Sequence, residues 1–184
     1  DRALAQSQPL QVSSSVMMAL QIQLAVVMHY LNNEKESLVS EMATTKIVQS
    51  ATDLNPCELL QTYNSLAWIH ILQMQNGRHD SLARDYLQTS YRHYPACKGQ
   101  DKTAAMFDTS LVLLNLARVA MLEAELATAA TRRENLLSEA EQHIKDAVAL
   151  GSQRPEVTVD LLELRGRLAL LRGDGPAAQV AFRE

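Results

Sequence analysis

Helical periodicity, interrupted at intervals by turn signals, limits this chain more than any other feature. Apolar residues recur at three- and four-residue spacing over long stretches. The pattern breaks at Asn32–Asn33, Leu54–Asn55–Pro56, Asn76–Gly77, Tyr94–Pro95, Lys98–Gly99, 151–155 and Gly173–Asp174–Gly175. Asparagine, glycine and proline at these places cap helices and turn the chain. Eight helices are predicted between them: 12–31, 35–51, 56–75, 79–93, 101–127, 134–150, 155–172 and 176 to the end. Pro56, Pro155 and Pro176 fall at helix starts, where a missing N–H costs nothing. The helices pair into four hairpins, 12–51, 56–94, 101–150 and 155–184, read as a single domain over 1–184, and no strand pattern competes.

Composition narrows the class. Apolar residues make up 47% of the 184, enough to bury a core and too many for a disordered chain. The net charge is −4, with no block of five like charges, so no basic stripe offers itself to nucleic acid or a membrane surface. The most apolar run, Val16 to Leu31, is short for a membrane span, which needs about 20 residues. No signal peptide is evident. The chain starts at Asp1 without Met and ends at Glu184 within a helical pattern, so a fragment of a longer protein, or a processed or trimmed product, is expected.

Several residues fall at spacings that pack two helices closely. In the fourth hairpin they are Leu162, Arg165, Gly166 and Ala169, then Gly173 at the turn, then Ala178 and Phe182. The second has Tyr63, Leu66, Ala67 and His70, then Ala83 and Leu87, then Pro95. The third has Leu113, Leu116, Ala117 and Ala120, then Ala140, Ile144 and Ala147, and the first keeps Leu24, Ala25 and Met28. Small residues at such places let helices approach, and larger neighbours fill the gaps. The arrangement resembles the tetratricopeptide repeat, W-x2-L-G-x2-Y followed by A-x3-F. The repeat offsets are longer than that family's 34 residues, and Arg165 stands where leucine is expected. The chain looks like the long-helix repeats of bacterial signal-dependent transcription activators and eukaryotic assembly scaffolds. The resemblance implies an all-α fold of antiparallel hairpins stacked into a right-handed solenoid.

Catalytic motifs are absent: no phosphate-binding glycine loop, no H-E-x-x-H, no C-x-x-C, no nucleophile elbow. His93 and Cys97 are four apart, but Pro95 lies between them and two ligands do not make a zinc site. The other histidines, His29, His70, His79 and His143, are scattered. Glu139, Glu141 and Asp146 beside Arg133 and Lys145 read as a solvated helix face, with Glu141 and Lys145 in i,i+4 register. The seven methionines are core filler or an adaptable binding surface. Cys57 and Cys97 are each placed near the start of a hairpin's first helix, about 10 Å apart by helix-packing distances, and are expected as free thiols.

The family's first helices line a concave groove. Carried over residue by residue, its groove positions are Gln61, Asn64, Trp68 and Ile71, then Leu114, Arg118 and Met121, then Glu163 and Arg167. Trp68 is the only tryptophan, and Trp and Arg are enriched at binding hot spots. Its alternative is burial against a neighbouring helix. Asn64 and Arg118 match part of the family's carboxylate clamp for chaperone tails, but the lysine pattern is missing, so that partner is not expected. The function implied is a non-enzymatic scaffold binding a protein or peptide segment. The alternative is a ligand-sensing or oligomerising regulatory domain of a larger protein, such as a transcription activator. No cofactor, metal, direct nucleic-acid contact or membrane insertion is expected. The compartment expected is cytoplasmic, with the nucleus and an oligomeric state left open.

Overall fold

A computed structural model describes residues 13–77, 81–151 and 154–183. His79, the start of the first expected helix at residue 12, positions 152–153 within the 151–155 break, and Glu184 lie outside the described residues. Among the described residues the chain is all-helical, with nine helices and no strand. They are α1 (Ser14–Tyr30), α2 (Glu34–Ser50), α3 (Pro56–Gln75), α4 (Leu82–Arg92), α5 (Tyr94–Gln100), α6 (Lys102–Leu126), α7 (Ala130–Leu150), α8 (Pro155–Leu171) and α9 (Gly175–Ala181).

The chain divides into two compact units, Asp1–Leu54 and Asn55–Glu184. In the first, α1 pairs with α2. Met18, Ile22 and Ala25 of α1 are buried, and on α2 the buried residues are Ser37, Ser40, Glu41 and Thr44. The Ser37 hydroxyl donates to the Ala25 carbonyl at 2.9 Å across the pair. Ser13 and Asn33 cap the two helices, and the Ser14 side chain holds the Asp53 carboxyl below its ordinary pKa.

In the second unit, consecutive helices pair as α3 with α4, α6 with α7, and α8 with α9. α6 also packs on both α3 and α8, α4 touches α6, and α7 touches α8. The small motif residues Ala67, Ala83, Ala117 and Ala140 are wholly buried where these helices meet. An ideal Cβ on Gly166 would come within 2.4 Å of the Phe182 ring, so the small residue at this position receives an aromatic side chain rather than Ala178 alone. Helix starts follow the caps: Asn55 and Glu58 form a reciprocal capping box ahead of α3, Asp101 caps α6 and Asp174 caps α9. α6 is long and apolar enough to cross a membrane by length and composition, yet 83% of its apolar window is buried. It is the central core helix, with Val112, Leu114, Val119 and Met121 fully enclosed.

Three expectations are corrected. Residues 94–100, read as a break on the strength of Pro95 and Gly99, form α5, and proline occupies the first turn, where its missing N–H is harmless. This helix folds back onto α3 and α6. It carries Cys97 to within 4.7 Å of Cys57 between Cα atoms, and the two are joined in a disulfide. The free-thiol expectation failed because Cys97 was placed at the start of a repeat's first helix, whereas it sits on an extra helix between hairpins. The disulfide also removes Cys97 from any pairing with His93 as a metal ligand. α7 starts at Ala130, four residues ahead of the expected 134, so most of the polar stretch after Leu126 is helical.

Candidate functional site

The face shared by α3, α6 and α8 carries a ladder of polar side chains on an otherwise apolar core. On α3, Gln61, Asn64 and Trp68 fall at i, i+3 and i+7, one stripe of a helix. On α6 the matching stripe is Asp108, Asn115 and Arg118, and on α8 it is Asp160, Glu163 and Arg167.

Each rung joins neighbouring helices. The Gln61 amide donates to the Asp108 carboxylate at 2.9 Å. The Asn115 amide donates to Asn64 Oδ1 at 3.0 Å, and its own Oδ1 accepts from Arg118 at 2.7 Å. Arg118 then donates to Glu163 at 3.0 Å and lies 3.6 Å from Asp160. Arg167 pairs with Glu125 at 2.7 Å. The Trp68 ring lies over the Arg118 guanidinium, 5.2 Å from centroid to carbon, a cation–π contact.

Arg118 is only 3% exposed, so its charge needs this company. It is the structural centre of the ladder and is held by its own chain. Asp160 has its carboxyl pushed above the ordinary range by burial, against the pull of Arg118. Burial likewise raises Asp108, against the Gln61 hydrogen bond and the field of Arg154.

Of the nine residues expected to line a groove, Gln61, Asn64, Trp68, Arg118, Glu163 and Arg167 do lie along this ladder. Trp68 is half-buried, packed against the core on one side. Ile71, Leu114 and Met121 have no exposed surface and belong to the core. On α6 the register slips by one residue, so that Asn115 rather than Leu114 faces Asn64. Asn115, Asp108 and Asp160 were missed. The signal was there: Asp108, Asn115 and Arg118 are polar residues at helical spacing inside the most apolar helix, and Asp160 lies three residues before Glu163.

Next to the ladder, at the N-terminal ends of α6 and α8, an open cleft of about 650 Å³ is lined by Gln61, Asp101, Thr103, Ala104, Met106, Phe107, Asp108, Gly151 and Arg154. A second charged cluster joins α4, α6 and α7. There Arg84 pairs with Glu123 at 2.8 Å and with Glu139. Burial opposes the Arg84 cation, and the two carboxylates outweigh it, raising its pKa further. His143, 3.5 Å from Glu139, is held below its ordinary pKa by burial. No group of three or more potential metal ligands occurs among the described residues.

No protein-family model, curated protein or solved structure matches this chain.

Proposed function

We propose that this protein is a non-enzymatic, tetratricopeptide-type interaction module whose α3–α6–α8 face holds an extended peptide segment of a partner. The observation that carries this reading is the ladder itself: polar groups from three successive first helices meet in one line, with a half-buried tryptophan at its middle. Side-chain amides and carboxylates along such a line suit a peptide backbone, and Trp68 supplies an apolar anchor. The buried small residues at the repeat positions support the family resemblance, and consecutive hairpins packed through their first helices are what a solenoid groove requires. Arg118 serves to fix the Trp68 ring from beneath, because its own donors go to Asn115, Glu163 and Asp160.

Trp68 tests the reading directly, since its fluorescence is that of the only tryptophan. Iodide should quench it partially in the free protein and less after binding a peptide selected from a synthetic array. Trp68→Ala is expected to weaken that peptide by about 2 kcal/mol or more, as hot-spot residues do. Trp68→Phe, which keeps most of the packing, should fold normally and bind with intermediate affinity. Array peptides that bind equally well to the Trp68→Ala protein would rule out this face as the site.

A further inference from the structure

The cleft beside the ladder has an apolar floor, an acidic wall and a guanidinium of the chain's own lying in it. Phe107 forms part of the floor, half-buried and packed against the core. The Arg154 guanidinium lies over its ring, 4.5 Å from carbon to centroid. Asp108, only 5% exposed as a residue, lines the same cleft, with Gln61 donating to one of its oxygens. Asp101, one residue before α6, adds a second carboxylate, one of whose oxygens caps Ala104.

The charges do not balance. One arginine faces two carboxylates, and that arginine also lies 3.7 Å from Glu156 outside the lining. Arg154 is a long side chain whose own surface is 59% exposed, so little besides Phe107 and local charge holds it in place. The cleft thus already holds a guanidinium over an aromatic ring beside a buried carboxylate. An incoming guanidinium would find the same ring face, the same carboxylate and a less compensated charge.

We propose that this cleft is the subsite for an arginine side chain of the bound partner segment, stacked on Phe107 and hydrogen-bonded to Asp108, in the place that Arg154 fills in the free protein. The proposal rests on the peptide-binding reading of the adjoining ladder and adds the chemistry of the partner: a segment with arginine at the end that lies over the N-termini of α6 and α8. The cleft volume lies within the usual range for a side-chain or small-ligand site, about 300–1,000 Å³. Arginine is favoured over lysine because a planar guanidinium both stacks and forks onto a carboxylate.

The test uses the whole chain and a defined probe. N-acetyl-arginine amide is titrated while the resonances of Phe107 and Gln61 are followed, with N-acetyl-citrulline amide as a neutral control and N-acetyl-glutamate amide as an anionic one. Saturable shifts are expected with the arginine probe alone. Asp108→Asn should weaken it about tenfold or more, because a charged hydrogen-bond acceptor is lost. Arg154→Ala should tighten it several-fold, because the internal competitor is gone. Phe107→Leu, which keeps the apolar bulk and loses the ring face, should weaken it as well and covers the case in which Asp108→Asn folds poorly.

Binding of the glutamate probe, lost in Arg154→Ala, would make this an anion site and overturn the proposal. So would the absence of any saturable shift with the arginine probe. The two readings fail separately. Array peptides that depend on Trp68 but tolerate citrulline in place of arginine would remove the subsite and leave the peptide groove standing. A saturable arginine probe with no Trp68-dependent peptide would remove the groove, and with it the assignment of the cleft to a partner segment.

Discussion

Gly166 shows how one residue can carry two opposed effects. Within a helix, glycine costs about 1 kcal/mol relative to alanine, so Gly166→Ala should stabilise α8. Yet the added methyl would meet the Phe182 ring at 2.4 Å. That ring is the far end of a flexible side chain and 55% exposed, so it can swing away at the loss of its packing on Gly166. The expected result is a coupling. Gly166→Ala should be close to neutral in the wild-type chain and stabilising by about 1 kcal/mol in a Phe182→Ala background. Urea midpoints of the four proteins measure it, and identical effects in both backgrounds would mean that the ring does not sit there. Asp108 gives a second expectation, in pH. Burial holds its folded pKa above the ordinary 3.8. The folded chain therefore binds more protons than the unfolded one as pH rises from about 4 towards the folded pKa, and stability drains away over that window. Asp108→Asn cannot titrate. Its stability relative to wild type should improve from pH 4 upward and then level off, in urea melts at stepped pH. A difference that stays flat would mean that folding does not raise the Asp108 pKa.

At the scale of elements, residue pattern revealed some features and hid others. Helix starts were legible where a cap and a proline coincide, as at Asn55–Pro56 and Asp174–Pro176, because the chemistry that begins a helix is local. The ladder was legible on α3, where polar and apolar stripes separate cleanly, and blurred on α6, where 25 residues are so widely buried that the apolar pattern no longer marks a face. α5 was hidden because Pro95 means both a stop and a start, and only tertiary packing decides between them. With α5 went the disulfide, since Cys57 and Cys97 are 40 residues apart and only this helix brings them together. A cross-link closing a loop of that length contributes about 4 kcal/mol by the chain-entropy account. Reduction, or the double substitution Cys57→Ala/Cys97→Ala, is expected to lower stability by about 3–4 kcal/mol and to loosen α5 first. Denatured, non-reduced protein should show no titratable thiol. Two titratable thiols would reinstate the free pair. Disulfides persist in oxidising compartments and are rare in the cytosol, so the same titration on protein taken from its native setting bears on the cytoplasmic expectation.

At the scale of the whole molecule, the two compact units differ in what holds them. The core of the second is continuous, from Leu60 on α3 through α6 to Leu168 on α8. In the first, among the described residues, three buried apolar side chains of α1 pair with a polar buried face of α2. Opposite that contact, α1 exposes Met17, Leu20, Leu24 and Val27, at alternating three- and four-residue spacing, and Leu31 just past its end continues the stripe. A hairpin this short, with so little apolar surface enclosed, gains little from burial against the entropy of ordering it. Local stability should therefore be graded along the chain. Amides of α6 are expected to exchange with solvent only through global unfolding. Those of α1 and α2 should exchange through local opening that costs at least about 2 kcal/mol less, roughly thirtyfold faster. Hydrogen exchange read by residue on the whole protein measures both at once. Equal protection of α1 and α6 would mean that the exposed stripe of α1 is covered in solution, and the experiment should then be repeated across a range of protein concentration. Protection that rises with concentration identifies the cover as a second copy of the chain, and protection that does not change assigns it to the same chain.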